Sequence, residues 1–126
     1  MAEARARLHA LQTRYPSMFP SELAFLHDDG WYALLETLCR HIQPILDTEP
    51  QASMQVLQVK EKFGTLRSYY SLQNATDELS QRIRAAVNQA ESASGHICER
   101  CGCAGTLQTD ASWWRTLCPA CRANST

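Results

Sequence analysis

Val56-Leu57-Gln58-Val59-Lys60-Glu61-Lys62-Phe63-Gly64-Thr65-Leu66-Arg67-Ser68-Tyr69-Tyr70 is the stretch in which the hydrophobic spacing changes from helical to alternating. Leu57, Val59 and Phe63 alternate with Gln58, Lys60 and Lys62, which predicts a strand whose apolar members face a core. Glu61 breaks the alternation by placing a charge at an apolar position. Thr65 to Tyr70 predicts a second strand, with Gly64 in or beside the turn, so the pair forms a hairpin over residues 55–71. An isolated two-stranded hairpin is marginal in water, and helices must cover one of its faces.

The helices lie on either side of it in sequence. Leu8, Leu11 and Tyr15 recur at helical spacing and predict a helix over 3–15, with Arg5, Arg7 and Arg14 on its other sides. Pro16 and Pro20 bracket a break, and Ser21-Glu22-Leu23 can open a further helical turn. Trp31, Leu34, Leu35, Leu38, Ile42, Ile45 and Leu46 form the apolar stripe of a helix over 30–46, which Pro44 should kink or end. Asp28 or Asp29 would cap it; adjacent carboxylates before a helix fit a cap better than a metal site. Leu79, Ile83, Ala86, Val87 and Ala90 mark a helix over 75–93, with Asn74 or Thr76 as its cap and Asp77 and Glu78 at its positive end. The Trp31 and Leu79 helices are the natural cover for the hairpin.

Beyond residue 94 the composition changes. Five of the six cysteines fall there, and Cys98-Glu99-Arg100-Cys101 and Cys118-Pro119-Ala120-Cys121 are two C-x2-C pairs separated by sixteen residues. That spacing lies within the window of zinc sites, where each tight turn aims two sulfurs at one ion about 2.3 Å away. Thr106–Thr109 and Trp113–Leu117 read as short strands about an Asp110-Ala111-Ser112 turn, the layout of a zinc ribbon or a treble-clef-like finger. One structural Zn²⁺ on Cys98, Cys101, Cys118 and Cys121 is therefore expected. Cys103 and His96 stand close enough to compete as ligands, with Cys103 otherwise a neighbouring or buried thiol. Cys39, alone in an apolar stripe, reads as a small core residue. Four thiolates would leave the metal no open position for catalysis. Trp113 and Trp114, adjacent on a strand, should point to opposite sides, one packing the finger on the body and one facing outward.

The fold class is thus α+β: helices on a small antiparallel hairpin, with an α+β body over 1–94 and a zinc-binding finger over 95–126. In 126 residues, 44% hydrophobic, there is material for one modest core. Twelve Lys and Arg against thirteen Asp and Glu give a formal charge of −1, which excludes a strongly basic nucleic-acid wrapper. The finger holds Arg100, Arg115 and Arg122 against Glu99 and Asp110; four thiolates on one Zn²⁺ bring it to −1 and the chain to −3. No apolar run is long enough for a membrane span, and no apolar segment follows Met1–Arg7, so a cytoplasmic protein without a leader is expected. Gly-rich phosphate loops, G-x-S-x-G and H-E-x-x-H are absent from the sequence, and Cys39 and His41, two apart on a helix, share no face. An enzyme is not expected. Lys60, Lys62 and Arg67 read first as a solvated sheet face and otherwise as a binding face for nucleic acid or an acidic protein. Together with Trp113 and Trp114 they form the candidate interaction surface.

Asp29-Gly30-Trp31-Tyr32, Val59-Lys60-Glu61-Lys62-Phe63-Gly64-Thr65-Leu66-Arg67, Cys98-Glu99-Arg100-Cys101-Gly102 and Trp114-Arg115-Thr116-Leu117-Cys118 together resemble a family of small, uncharacterised phage and prophage proteins. These carry a G-W-Y helix, a Q-V-K-E-K-F-G hairpin and a terminal C-x2-C zinc module. The resemblance spans roughly residues 28–121 and implies no catalytic residue. Cys121 departs from relatives that end in Cys-x-x-His, which exchanges one ligand for another. What the resemblance implies is an accessory protein of a bacterial cytoplasm. The function expected first is a protein-interaction module that binds a host or phage protein such as a regulator or defence component. The alternative is a small nucleic-acid-binding regulator using the Lys60–Arg67 hairpin with Arg82 or Arg84.

Overall fold

A computed structural model describes residues 2–20, 23, 25–27, 29–110 and 112–123, the side chains of residues 2–7 and 29 excepted. The chain order is α1 (Ala2–Arg14), β1 (Phe25–Leu26), α2 (Tyr32–Asp47), β2 (Ser53–Lys62), β3 (Thr65–Gln73), α3 (Asp77–Ser94), β4 (Thr106–Gln108), β5 (Arg115–Leu117) and α4 (Pro119–Ala123), with a 3-10 turn at Asp29–Trp31. Asp28, the Ser21-Glu22 part of the further helical turn and Ala111 of the finger turn lie outside the described residues.

β2 and β3 form the anticipated hairpin, with Lys62 paired to Thr65 across a Phe63-Gly64 loop. Both loop residues have positive φ, 53° and 81°. That is the backbone of a type I′ turn, whose twist matches the strands it joins. The two-residue strand β1 adds in parallel to β2, Phe25 beside Val59 and Leu26 beside Lys60, so the sheet has the order β1-β2-β3. Two residues are too few to show an alternating pattern, which is why β1 left no trace in the hydrophobic spacing.

The predicted facing of β2 is corrected by a bulge. The register slips between Val56 and Gln58, leaving Leu57 as the extra residue. An extra residue exchanges the two faces of a strand from that point on. Met54 and Val56 are buried before the bulge and Val59 is buried after it, whereas Leu57 and Phe63 are 56% and 64% exposed. Glu61, one of the inward-parity positions, takes the backbone N–H of Gly64 at 2.8 Å and the Trp113 Nε1–H at 3.2 Å. Its charge therefore belongs to the hairpin turn and the finger, and the outer face carries none of it.

α2 and α3 cover the inner face. Leu35, Leu38, Cys39 and Ile42 of α2 and Leu79, Ile83, Val87 and Ala90 of α3 are buried there with Leu8, Leu11 and Trp31. Thr76 caps α3, its hydroxyl accepting from the Leu79 N–H at 3.2 Å. α2 has Trp31 at its cap position with no side-chain hydrogen bond, so Asp29 sits two residues too early to cap it. Pro44 does not end α2, which runs three residues further. The carbonyl deprived of a partner belongs to Arg40, and both Arg40 and Pro44 are exposed, so water can serve that carbonyl.

The outer edge of β3 is covered at its turn end by side chains of α3. Ser94 Oγ accepts from the Leu66 N–H at 2.8 Å and Glu91 Oε2 from the Ser68 N–H at 3.0 Å.

Candidate metal centre and its surroundings

Each C-x2-C pair is folded by its own backbone. In the first, the Gly102 N–H reaches the Cys98 carbonyl at 2.9 Å, and Gly102 holds φ at 86°, where a side chain would be strained. The Cys98 N–H also reaches the Cys103 carbonyl at 2.7 Å. In the second, Pro119 opens α4, a first-turn position that costs no hydrogen bond, and α4 carries Cys121 back toward Cys118. The β4–β5 hairpin between them pairs Thr106 with Leu117 and Gln108 with Arg115.

Cys98, Cys101, Cys118 and Cys121 converge, with their sulfurs all within 4.8 Å of one another and Cys101 and Cys118 at 3.5 Å. Four sulfurs at about 2.3 Å from a tetrahedral ion would stand about 3.8 Å apart, so these distances fit one ion with little adjustment. Cys98 and Cys118 are buried, Cys121 half-buried and Cys101 exposed. Burial pushes the Cys98 thiol up, but hydrogen bonding from the backbone at Cys118, Cys101 and Arg100 outweighs it and brings the thiol down to about 6. The Cys121 N–H, 3.4 Å from the Cys118 sulfur, lowers that thiol too. Amides aimed at the sulfurs of Cys98 and Cys118 favour thiolate there, the form that binds metal. The Cys121 thiol, beside the Cys118 sulfur, is pushed up, as is the Cys101 thiol despite the backbone at Cys103.

Cys103 and His96 stand outside this cluster. Cys103 is an exposed thiol, not a buried one, because its carbonyl and not its sulfur closes the first pair. Cys39 is buried in the body, and burial pushes its thiol up to about 12.

The finger sits on the body at two glycines. At Gly30 a Cβ would overlap the carbonyl oxygens of Cys98 and Glu99, and the Gly30 N–H donates to Glu99 O at 2.6 Å. The neighbouring Trp31, wholly buried, donates from Nε1 to Ile97 O at 3.0 Å. At Gly64 a Cβ would run into Leu107 and the backbone of Arg115, while the Thr116 hydroxyl donates to Gly64 O at 2.7 Å. The hairpin turn and the entry to α2 therefore both rest on the metal-binding segment.

Trp113 and Trp114 precede β5 instead of lying within it, so the alternation expected of strand neighbours does not apply. Trp113 binds Glu61, and Trp114 meets Phe63 edge-on with ring centroids 6.3 Å apart. Both tryptophans touch the hairpin and both remain exposed, at 69% and 42%. Exposed Leu107 joins them beside Gly64. Phe63 and Leu107 were missed as surface residues. The signal for Phe63 was its place next to Gly64, which makes it a turn residue as readily as a strand residue.

Lys60, Lys62 and Arg67 do share a face, the outer one, with Lys60 directly across from Arg67. Comparison of the chain with family models, with curated proteins and with solved structures gives no match. Among the described residues, no helix is long and apolar enough to cross a membrane.

Proposed function

We propose that this is a zinc-stapled accessory protein of phage type, working in a bacterial cytoplasm by binding a protein partner and not by catalysis. The metal is one Zn²⁺ on Cys98, Cys101, Cys118 and Cys121. Soft thiolates in a tetrahedral set favour zinc over harder cations, and four of them close the ion's coordination, so it supplies folding energy to a segment too small for its own core. Of the two finger types anticipated, the order of knuckle, hairpin and a helix bearing the fourth cysteine favours the treble-clef-like one.

The observation that carries the partner is the exposed patch of Phe63, Leu107, Trp113 and Trp114, spanning the hairpin tip and the finger. Large apolar side chains grouped in the open mark interaction sites, and tryptophan is the residue most enriched where binding energy concentrates. Lys62, whose ammonium lies 5.7 Å from the Phe63 ring centroid, gives the patch a basic rim suited to an apolar spot edged by carboxylates.

Two measurements test the reading. Elemental analysis of freshly purified protein should give one zinc per chain, lost from Cys98→Ser and kept by Cys103→Ser; well under one zinc would sink the metal assignment. Affinity capture from phage-infected bacteria should yield a protein held by the native chain and released by Trp113→Ala/Trp114→Ala. Capture of no protein, or equal capture by both forms, would sink the partner assignment.

A further inference from the structure

The outer face of the sheet is a second surface, which meets the tryptophan patch at Lys62 and differs from it in chemistry. Across β2 and β3 it presents Gln58 opposite Tyr69 and Lys60 opposite Arg67, with Lys62 at its end. None of the outward-facing residues of these two strands is acidic. The one carboxylate in the run, Glu61, is turned inward onto Gly64 and Trp113. Tyr69 is 41% exposed, and the Lys60 ammonium lies 5.7 Å from its ring centroid. Arg67 Nε is shielded from water and has no hydrogen-bond acceptor among the described residues. Beside Gln58 the face dips into a groove of about 320 Å³, lined by Leu23, Leu26, Gln55 and Leu57.

We propose that this face binds single-stranded DNA. As like charges facing each other on neighbouring strands, Lys60 and Arg67 repel, an arrangement that a phosphate placed between them turns into attraction. The Tyr69 ring offers a stacking platform for a base, and the Gln55 and Gln58 amides offer both donors and acceptors to base edges. Leucines in the groove suit the thymine methyl group. An acidic peptide would engage the cations and leave the ring, the amides and the groove unmatched. A duplex would keep its bases stacked away from Tyr69. The chain's net negative charge is no obstacle, because the field that a strand meets is that of the face it approaches.

The test is fluorescence anisotropy with a labelled oligothymidylate and the full-length, zinc-loaded protein. Three phosphate contacts predict a log–log salt slope near −2, a weakening of roughly 15- to 20-fold between about 50 and 200 mM salt. Tyr69→Ala should weaken binding roughly 5- to 150-fold, the range for loss of one stacked base, while Tyr69→Phe should hold. Lys60→Gln/Arg67→Gln should cut the salt slope to about one-third. Trp113→Ala should change nothing, which separates this face from the tryptophan patch. Tyr69 and Trp113 are exposed and Lys60 and Arg67 half-buried, and an unchanged circular-dichroism melt together with retained zinc verifies that each variant is folded. Absence of oligothymidylate binding at low salt, equal affinity for oligouridylate or for a blunt duplex, or tighter binding of a polyglutamate peptide would each overturn the proposal.

Discussion

Gly30→Ala adds one methyl group to the chain and should separate the finger from the body. At Gly30 the new Cβ would meet two backbone carbonyl oxygens, those of Cys98 and Glu99, and backbone cannot rotate aside as a side-chain tip can. Forcing extra volume into such a contact costs about 1–3 kcal/mol. Moving the carbonyls away also breaks the 2.6 Å hydrogen bond from Gly30 N–H to Glu99 O, worth about 1 kcal/mol. The sum, about 2–4 kcal/mol, is a large share of the stability of a domain this size. With an unfolding entropy of about 2.1 cal/mol/K per residue, it lowers Tm by roughly 8–15 °C. Gly95→Ala is the control. Gly95 has φ −69° and ψ −5°, and its Cβ would lie at ordinary contact distances of 3.5 Å and 3.8 Å. Alanine there should stabilise by about 0.4–1 kcal/mol through the unfolded chain. Thermal denaturation of both variants, with zinc retention measured against a competing chelator, decides the matter. If Gly30→Ala melts with the native protein and keeps its zinc equally well, the finger is not seated on Gly30 and the coupling described above is wrong.

Three further outcomes are expected. In the folded zinc-bound protein a thiol reagent at about pH 8 should modify Cys103 and spare Cys39, whose burial holds it as the unreactive thiol; mass spectrometry of labelled peptides reads this directly, and rapid labelling of Cys39 would contradict the packing of α2. Leu57→Asp should be tolerated within about 0.5 kcal/mol, while Val59→Asp should abolish two-state folding in urea titration, because the bulge puts one outside and the other in the core. Reversal of that order would remove the bulge. Glu36 is held below the usual carboxylate range by the Tyr32 hydroxyl and then by Arg14. A group with a lowered folded-state pKa contributes stability above its unfolded value and loses it as pH falls through the folded one. Native protein should therefore lose more stability than Glu36→Gln between about pH 5 and pH 3, by denaturant titration at each pH; parallel curves would refute the linkage.

The helical stripes were legible because each repeats for several turns, and Leu35, Leu38, Ile42, Leu79, Ile83 and Val87 all reached the core. The four cysteines were legible because ligand spacing is a local property of two turns, and the turns brought them together. What escaped was non-local. Leu57 and Phe63 have the parity of core residues, and only pairing with β3 shows that one is a bulge and the other a turn. Glu61 read as a charge out of place in the alternation, yet its position facing away from the outer surface is set by the same bulge and by Trp113, fifty-two residues away. The tryptophans were recognised as surface candidates, but their placement depends on where β5 begins.

The cover that Ser94 and Glu91 give to the turn end of β3 has a consequence for how anything can attach near the hairpin tip. An open strand edge invites pairing with other chains, whether a chosen peptide or another misfolded copy. Here the N–H groups of Leu66 and Ser68 are already engaged, the far side of β2 gives its Val56 N–H to the Met18 carbonyl, and β1 offers only two residues. Near the tip, recognition is thereby pushed from backbone to side chains. A partner must read rings, amides and charges on the faces and tip of the sheet, so its selectivity depends on sequence on both sides and not on the common geometry of a β-ladder.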